Sequence, residues 1–302
     1  MRGWWQDLTD LVLPADCAGC GAPRTALCPR CRATLRGSAA RRVRPVPEPA
    51  GLPVVHAVAP YAAEVRALLL AHKERGALTL TGALGTALAG AVRASLGADG
   101  CAGAHAGADR GAHAGAGSAG WPGRGPVLLV PVPSARWAVR ARGHDPVRRM
   151  ALAAAGELRR TGTAARVAAV LRQRRAVADQ AGLDARRRLE NLAGALEVSP
   201  GGGRLLGAGP VVLVDDLMTT GASLAEAARA LREAGLSRPE GRTAVYDAAT
   251  REGREERRIG APPGRRESVH SAPENAVPNA LRRILHAAVI AAPHDSFEMN
   301  RN

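Results

Sequence analysis

Two groups of residues in this 302-residue chain have types and spacings suited to chemistry. The first is Asp215-Asp216, delivered by the apolar run Val211 to Val214 and followed, after Leu217 and Met218, by Thr219, Thr220, Gly221, Ala222 and Ser223. Paired carboxylates accept hydrogen bonds from sugar hydroxyls, and a loop of small residues turns its backbone N–H groups toward an anion; together they suit a sugar phosphate. The second group is two C-x2-C knuckles, Cys17/Cys20 and Cys28/Cys31, separated by seven residues. Four thiolates so spaced can surround one metal ion tetrahedrally, and Gly19 and Gly21 ease the tight turns this needs.

The acidic pair must be held by the elements around it. Val211 to Val214 has the character of a strand buried on both faces, as in a parallel sheet. After the turn, Ser223 to Glu226 fits a capping box, so a helix is expected from Ser223. Leu224, Ala227, Ala228 and Leu231 recur at helical spacing, and Gly235 stands where a glycine would end the helix. Thr219 to Ala222 would then be a strand-to-helix loop at the positive end of a helix dipole. The loop lacks the lysine of a Walker A sequence and is not G-x-G-x-x-G.

For the cysteines, structural zinc is the expected occupant, with iron and reactive thiols as alternatives. A redox pair needs only one C-x2-C, and disulfides are the poorer explanation in a chain without a secretory segment. All four positions are cysteine, so the site is closed and its role would be to hold a fold that so small a module could hardly reach without the metal. Cys101, in a low-complexity stretch, is expected to be a free thiol.

Forty-two Lys and Arg against 27 Asp and Glu give a net charge of +15, which favours polyanionic partners: nucleic acid, acidic membrane or phosphorylated small molecules. A GC-rich genome that loads Ala, Gly and Arg into its proteins would give the same excess. With four Trp, two Tyr and one Phe, no interleaved aromatic platform for single strands is visible. No apolar stretch approaches the ~18 residues needed to span a bilayer. Asp7 and Asp10 interrupt any signal-peptide profile, and a cytoplasmic location is expected.

Residues 1–45 form a candidate zinc-ribbon-like module, opened by an amphipathic helix with Trp4, Leu8, Leu11 and Val12 on one face. The proline-rich segment 46–53 is expected to be a linker. From residue 54 onward, strand-like runs (VVHAVAPY, Val127 to Val132, ARVAAVLR, ALEV, VVLV, AAVIAA) alternate with helical ones, including Leu80 to Leu96 and Pro146 to Arg160. That alternation indicates an α/β domain with a mostly parallel sheet. Residues 97–125 and 237–285 are expected to be low-complexity or polar insertions, the first disordered; its His105 and His113 lack a rigid frame for metal.

VVLVDDLMTTGAS resembles the phosphoribosyl-diphosphate (PRPP) binding signature of type I phosphoribosyltransferases. The wider chain is similar to the ComF-type subgroup, which joins a double-C-x2-C zinc module to such a domain. The likeness includes CAGCG, CPRCR, Tyr61 followed by VRALLLAHKERG, VPVPSARWAVRARGHD, DQAGLDARRRLEN and the terminal DSFEMNRN. It implies that residues 54–302 are a phosphoribosyltransferase domain, a transferase of the glycosyltransferase class that moves phosphoribosyl from PRPP to an unknown acceptor and releases magnesium-bound diphosphate. By the same resemblance, Asp215 and Asp216 would bind the ribose hydroxyls, Thr219, Thr220, Gly221, Ala222 and Ser223 the 5′-phosphate, and Pro133 and Ser134 of VPVPS the diphosphate. Arg136 and Arg140 would neutralise diphosphate oxygens, and Mg2+ would accompany the PRPP or related phosphoribosyl nucleotide. VPVP alone would also make a rigid turn.

Two departures stand out. Ala222 occupies a position that is glycine in many members, and ARGHD replaces the common RGFNQ, with His144 and Asp145 in place of aromatic and amide groups. Arg172 to Asn191, including Gln180, Arg188 and Asn191, takes the place of the superfamily's flexible active-site loop; a solvated basic stretch is the other reading. ComF-type proteins are associated with natural transformation. A second implied function is therefore a DNA-uptake or DNA-processing accessory, binding single-stranded DNA and competence or DNA-processing proteins, with the domain sensing nucleotide.

Overall fold

The computed structural model describes residues 16–36, 39–102, 125–177, 184–207, 209–236 and 285–297. The helix expected around Trp4 to Val12, Gln180, His105, His113, nearly all of the 237–285 segment and residues 298–302 lie outside them. Among the described residues no helix is long and apolar enough to cross a membrane.

The alternating pattern resolves into a six-stranded, mostly parallel sheet. Its strands are β1 (Arg41–Val43), β2 (Val54–Pro60), β3 (Val127–Pro131), β4 (Ala165–Val167), β7 (Val211–Leu217) and β8 (Leu285–Ala292), in the order β1-β2-β8-β7-β3-β4. Only β1 runs antiparallel to its neighbour. The central strand β7 is flanked by β8 and β3, with Val212 opposite His286 on one side and Leu129 on the other. A separate antiparallel pair joins β5 (Leu171–Gln173) to β6 (Leu196–Val198). ARVAAVLR, expected as one strand, is thus divided between two sheets, because Ala168 N–H still bonds Leu129 O while Leu171 turns to pair with Val198.

The helices are α1 (Pro29–Arg36), α2 (Ala63–Glu74), α3 (Thr81–Ala102), α4 (Arg136–Arg142), α5 (Pro146–Arg160), α6 (Ala185–Leu192), α7 (Gly202–Leu205) and α8 (Ala222–Leu236). Helix α3 continues through residues 97–102, into the stretch expected to be disordered from residue 97. Two-residue periodicity sorts β7 between two cores. Val212 and Val214 pack with Leu68 and Leu69 of α2, Leu84 and Leu88 of α3 and Met150 and Leu158 of α5. Val211 and Leu213 pack with Leu224, Ala227 and Leu231 of α8. With aromatics scarce, close helix contact does much of the packing. At Gly85 of α3 an added Cβ would meet the side chain of Ala153 and lie 3.0 Å from Ala154 N in α5.

The N-terminal segment is built into this layer structure. Cys17, Leu27, Cys28, Cys31 and Leu35 belong to the same core cluster as α2 and α3. β1, from the segment assigned to the small module, forms the edge of the main sheet. The proline-rich stretch expected to link two domains is tied down at both ends. Arg44 N–H donates to Ser296 O at 2.7 Å, and Arg232 Nη2 donates to Gly51 O at 2.8 Å.

Candidate functional site

Because β7 is buried on both faces up to its last residues, Asp215 and Asp216 emerge at its C-terminal end with only 9% and 5% exposure. Consecutive strand residues point to opposite faces, so the two carboxylates diverge. Asp216 shares the face of Val212 and Val214 and meets Lys73, whose Nζ lies 3.0 Å from Asp216 Oδ2. Asp215 takes the opposite face, and its Oδ1 accepts from Asp216 N–H at 2.8 Å. Burial, then the neighbouring Asp216 charge, pushes the Asp215 carboxyl well above the usual range. The Asp216 charge raises Lys73 and outweighs burial, so this ammonium stays charged.

Lys73 stands in the last turn of α2. No local pattern in the sequence singles Lys73 out, yet it is the chain's single lysine among 42 Lys and Arg, and that contrast is a usable signal. A compact ammonium reaches a carboxylate end-on, where a planar guanidinium would demand a wider berth. Arg142 braces the same helix end, its Nη1 3.4 Å from Lys73 O and 3.8 Å from Glu74 Oε1.

Beyond β7, Met218 N–H still bonds Ala291 O of β8, and the chain then turns through Thr219, Thr220 and Gly221. Gly221 has φ +76°, and an added Cβ there would lie 3.1 Å from Leu52 and 3.3 Å from Pro45. Glycine is needed for both conformation and space. Among the described residues, the N–H groups of Thr219, Thr220 and Gly221 have no backbone acceptor. The expected capping box does not form. The helix starts at Ala222, whose N–H lies 3.4 Å from Thr220 Oγ1, and Ser223 falls inside the first turn. Glu226 is buried and turned away, accepting from Leu196 N–H at 2.9 Å and pairing with Arg229 at 2.8 Å. A buried carboxylate is better satisfied by that guanidinium and strand N–H than by one N–H at the helix start.

The VPVPS loop lies beside this turn, since Val132 N–H bonds Val214 O and extends the β3–β7 pairing. Pro133 and Ser134 are half-buried there. Ser134 Oγ lies 3.5 Å from Asp145 Oδ1, and the same carboxylate oxygen accepts from Arg148 N–H at 3.1 Å, capping α5 ahead of Pro146. Asp145 therefore acts as a helix cap. His144 accompanies it, its Nδ1 3.0 Å from Arg142 O and its ring edge-on to His72 at 6.2 Å. His72 is buried with Nε2 3.0 Å from Thr81 Oγ1; burial, then the His144 charge, pulls it down to about 4, so it stays neutral at ordinary pH.

Arg136 directs its guanidinium to Gln173 O at 3.3 Å, and Arg140 is exposed on α4. Another arginine comes to the loop instead: Arg188 of α6 donates from Nη1 to Thr219 Oγ1 at 3.4 Å. The basic segment before and after residues 178–183 thus forms β5 and α6 on either side, with α6 leaning over the turn.

At the other end of the chain, the four cysteine sulfurs lie within 4.8 Å of one another. Tetrahedral Zn–S bonds of ~2.3 Å place sulfurs roughly 3.8 Å apart, so the four fit one zinc ion. Cys28 N–H points to Cys17 Sγ at 3.3 Å and Cys31 N–H to Cys28 Sγ at 3.4 Å, as suits thiolates. Burial opposes ionisation of Cys17, but backbone N–H groups of Cys28, Cys20 and Gly19 outweigh it and bring the thiol to about 6; burial pushes Cys31 up. A metal charge would reverse that last effect. Gly19 is required by contact, since an added Cβ would lie 2.8 Å from Cys31 Sγ and 3.2 Å from Leu68 of α2. The acidic pair is different. Two diverging carboxylates, one already paired with Lys73, make a poor resident site for a hard divalent cation such as Mg2+.

No protein-family model matches the chain, and comparison with curated proteins returns no match. The geometry itself carries the functional argument.

Two outcomes are expected. Purified protein should hold about one zinc per chain, and Cys31→Ser should lose it, with a lowered melting temperature because α1 shares its core with α2 and α3; elemental analysis and thermal melts check this. Asp215 has a raised carboxyl, so its effect on stability is fully favourable below the unfolded value near 3.8 and is lost as pH rises through the folded one. Asp215→Asn should therefore raise the melting temperature at pH 7 by a few degrees, with the gain vanishing near pH 4; an equal gain at both pH values would contradict the assignment.

Proposed function

We propose that this protein binds PRPP with Mg2+ and acts as a phosphoribosyltransferase of ComF type. The observation that carries the reading is the arrangement at the end of β7: two buried carboxylates, a turn with open N–H groups, a 15-residue helix starting behind it, and the end of the parallel neighbour β3 alongside. Open α/β sheets bind ligands at this edge. The helix dipole and turn N–H groups favour the 5′-phosphate, with Arg188 beside them, and the carboxylates accept from ribose hydroxyls. Pro133 and Ser134 would lie along the diphosphate. Magnesium, when bound, would neutralise the leaving diphosphate. The protein's own part is positioning and charge: Lys73 holds Asp216 and keeps the edge from carrying two uncompensated negative charges.

A second reading, single-stranded DNA binding in uptake or processing, is favoured by one surface feature. Trp137 is 62% exposed on α4 between Arg136 and Arg140, an aromatic face for a base between cations for phosphates.

Titration calorimetry with Mg2+ and PRPP should show binding to the zinc-loaded wild type, weakened at least about tenfold, ~1.4 kcal/mol, in an Asp215→Asn/Asp216→Asn double variant. Binding that survives the double substitution unchanged would sink the reading. For the second reading, Trp137→Ala should weaken oligonucleotide binding that itself falls steeply with salt; no retention of DNA at low salt would dispose of it.

A further inference from the structure

The open side of the antiparallel pair β5–β6 is closed by side chains of α8. Arg174 N–H bonds Ala195 O at 2.8 Å, so the next residue, Leu196, turns its N–H and O away from β5. Leu196 N–H donates to Glu226 Oε1 at 2.9 Å, and Leu196 O accepts from Arg229 Nη2 at 2.9 Å. The two side chains also grip each other, Arg229 donating from Nε to Glu226 Oε2 and from Nη2 to Glu226 Oε1, each at 2.8 Å. Together they stand in for a third strand at one residue. Burial opposes the Glu226 charge, but Arg229 and the N–H groups of Leu196 and Gly194 outweigh it and hold the carboxyl below its usual range.

Leu196 is also where α6 is anchored. Only residues 193–195 separate the end of α6 at Leu192 from the start of β6. Ala193 N–H bonds Leu189 O, Ala195 N–H bonds Leu192 O, and Arg175 Nη2 donates to Asn191 O and Ala193 O, each at 2.8 Å. One turn before Leu192, Arg188 extends to Thr219 Oγ1, but at 3.4 Å that bond is too long to hold a helix. Arg188 Nε is buried with no acceptor among the described residues. A buried donor left so is costly, and the place of this guanidinium is set by the frame behind it rather than by its own bonds. The frame closes on itself: the turn at Thr219 leads into α8, Glu226 of α8 holds Leu196, Leu196 anchors α6, and Arg188 of α6 returns to Thr219.

We propose that Glu226 and Arg229 are positioning residues for the anion site at the turn after β7: by fixing Leu196 they set α6 so that the Arg188 guanidinium adds its charge where the 5′-phosphate of a phosphoribosyl ligand binds. The assignment rests on the phosphoribosyl reading above. A buried ion pair is often no more stabilising than apolar packing of the same volume; what this one supplies at Leu196 is direction, to an N–H and an O at once. Helix α8 thereby serves the site twice. Its first residues face the phosphate, and Glu226, about 6 Å along the axis from Ala222, aims a second helix at the same place.

A double-mutant cycle on the zinc-loaded full chain, read by calorimetry with Mg2+ and PRPP and again with ribose 5-phosphate, tests this without an acceptor. Arg188→Ala should weaken both ligands about tenfold and Glu226→Ala about fivefold. The double variant should bind within about twofold of Arg188→Ala alone, because Glu226 acts through Arg188. A merely structural Glu226 would multiply the two losses, and that additive result overturns the proposal, as does either single variant binding like wild type. Glu226→Gln keeps an acceptor for Leu196 N–H while weakening the grip on Arg229; it should show a smaller loss, again absent in the Arg188→Ala background, and it carries the cycle where the alanine variant does not fold. Ribose 5-phosphate lacks the diphosphate, so a loss confined to PRPP, or no binding of ribose 5-phosphate to wild type, overturns the assignment to the 5′-phosphate. Wild type that binds neither ligand overturns the phosphoribosyl reading and this role with it, whereas binding of both with an additive cycle overturns this role alone.

Discussion

The constraint on which this structure turns is the two-residue period of β7 carried through to its last acidic residues. A strand buried on both faces must present apolar side chains alternately to two cores, and Val211 to Val214 do so. When the run ends in two consecutive aspartates, the same alternation sends one carboxylate to each face, and neither can be satisfied by the other. Asp216 is answered by an ammonium from α2, and Asp215 by the backbone of its own neighbour. The asymmetry follows from what each face offers. One carries α2, with a lysine in its last turn; the other faces the start of α8, where burial leaves the acid with a raised proton affinity.

The strand, its loop and the following helix could be read from the amino-acid order because their signals are local: four apolar residues, two acids, small residues, then helical periodicity. The C-x2-C pairs were legible for the same reason, as their spacing alone brings four sulfurs together. The parts that escaped depend on distant partners. Glu226 fits a capping box by spacing, but Arg229 and the Leu196 N–H compete for it, and the latter lies 30 residues away in the chain. Lys73 meets Asp216 across 143 residues, which no local pattern encodes.

The proline-rich segment before β2 shows how composition and role can part. Four prolines and a glycine between residues 42 and 53 have the stiffness of a spacer. That same stiffness, fastened to the turn after β8 and to α8, makes a wall beside the β7 turn. Its contact with Gly221 ties two requirements together: the turn needs a left-handed residue, and the strap leaves no room for a side chain there.

The metal knuckles and the acidic pair are linked through one helix. Leu68 of α2 lies against Gly19 of the first knuckle, and Lys73, five residues on, reaches Asp216. At 1.5 Å of rise per residue these contacts are separated by only about 7.5 Å along the axis. A helix of 12 residues that is clamped by the cysteine module at one point and by Arg142 at its end has little freedom to shift. The cysteine cluster, far from any ligand chemistry, therefore has a physical bearing on the site. It fixes the lateral position of α2, and α2 fixes the one ammonium that neutralises the acidic edge. On this account the small module is the abutment for the helix that carries the chain's only lysine, and the interdependence explains why its cysteines share a core with the sheet instead of closing a separate one.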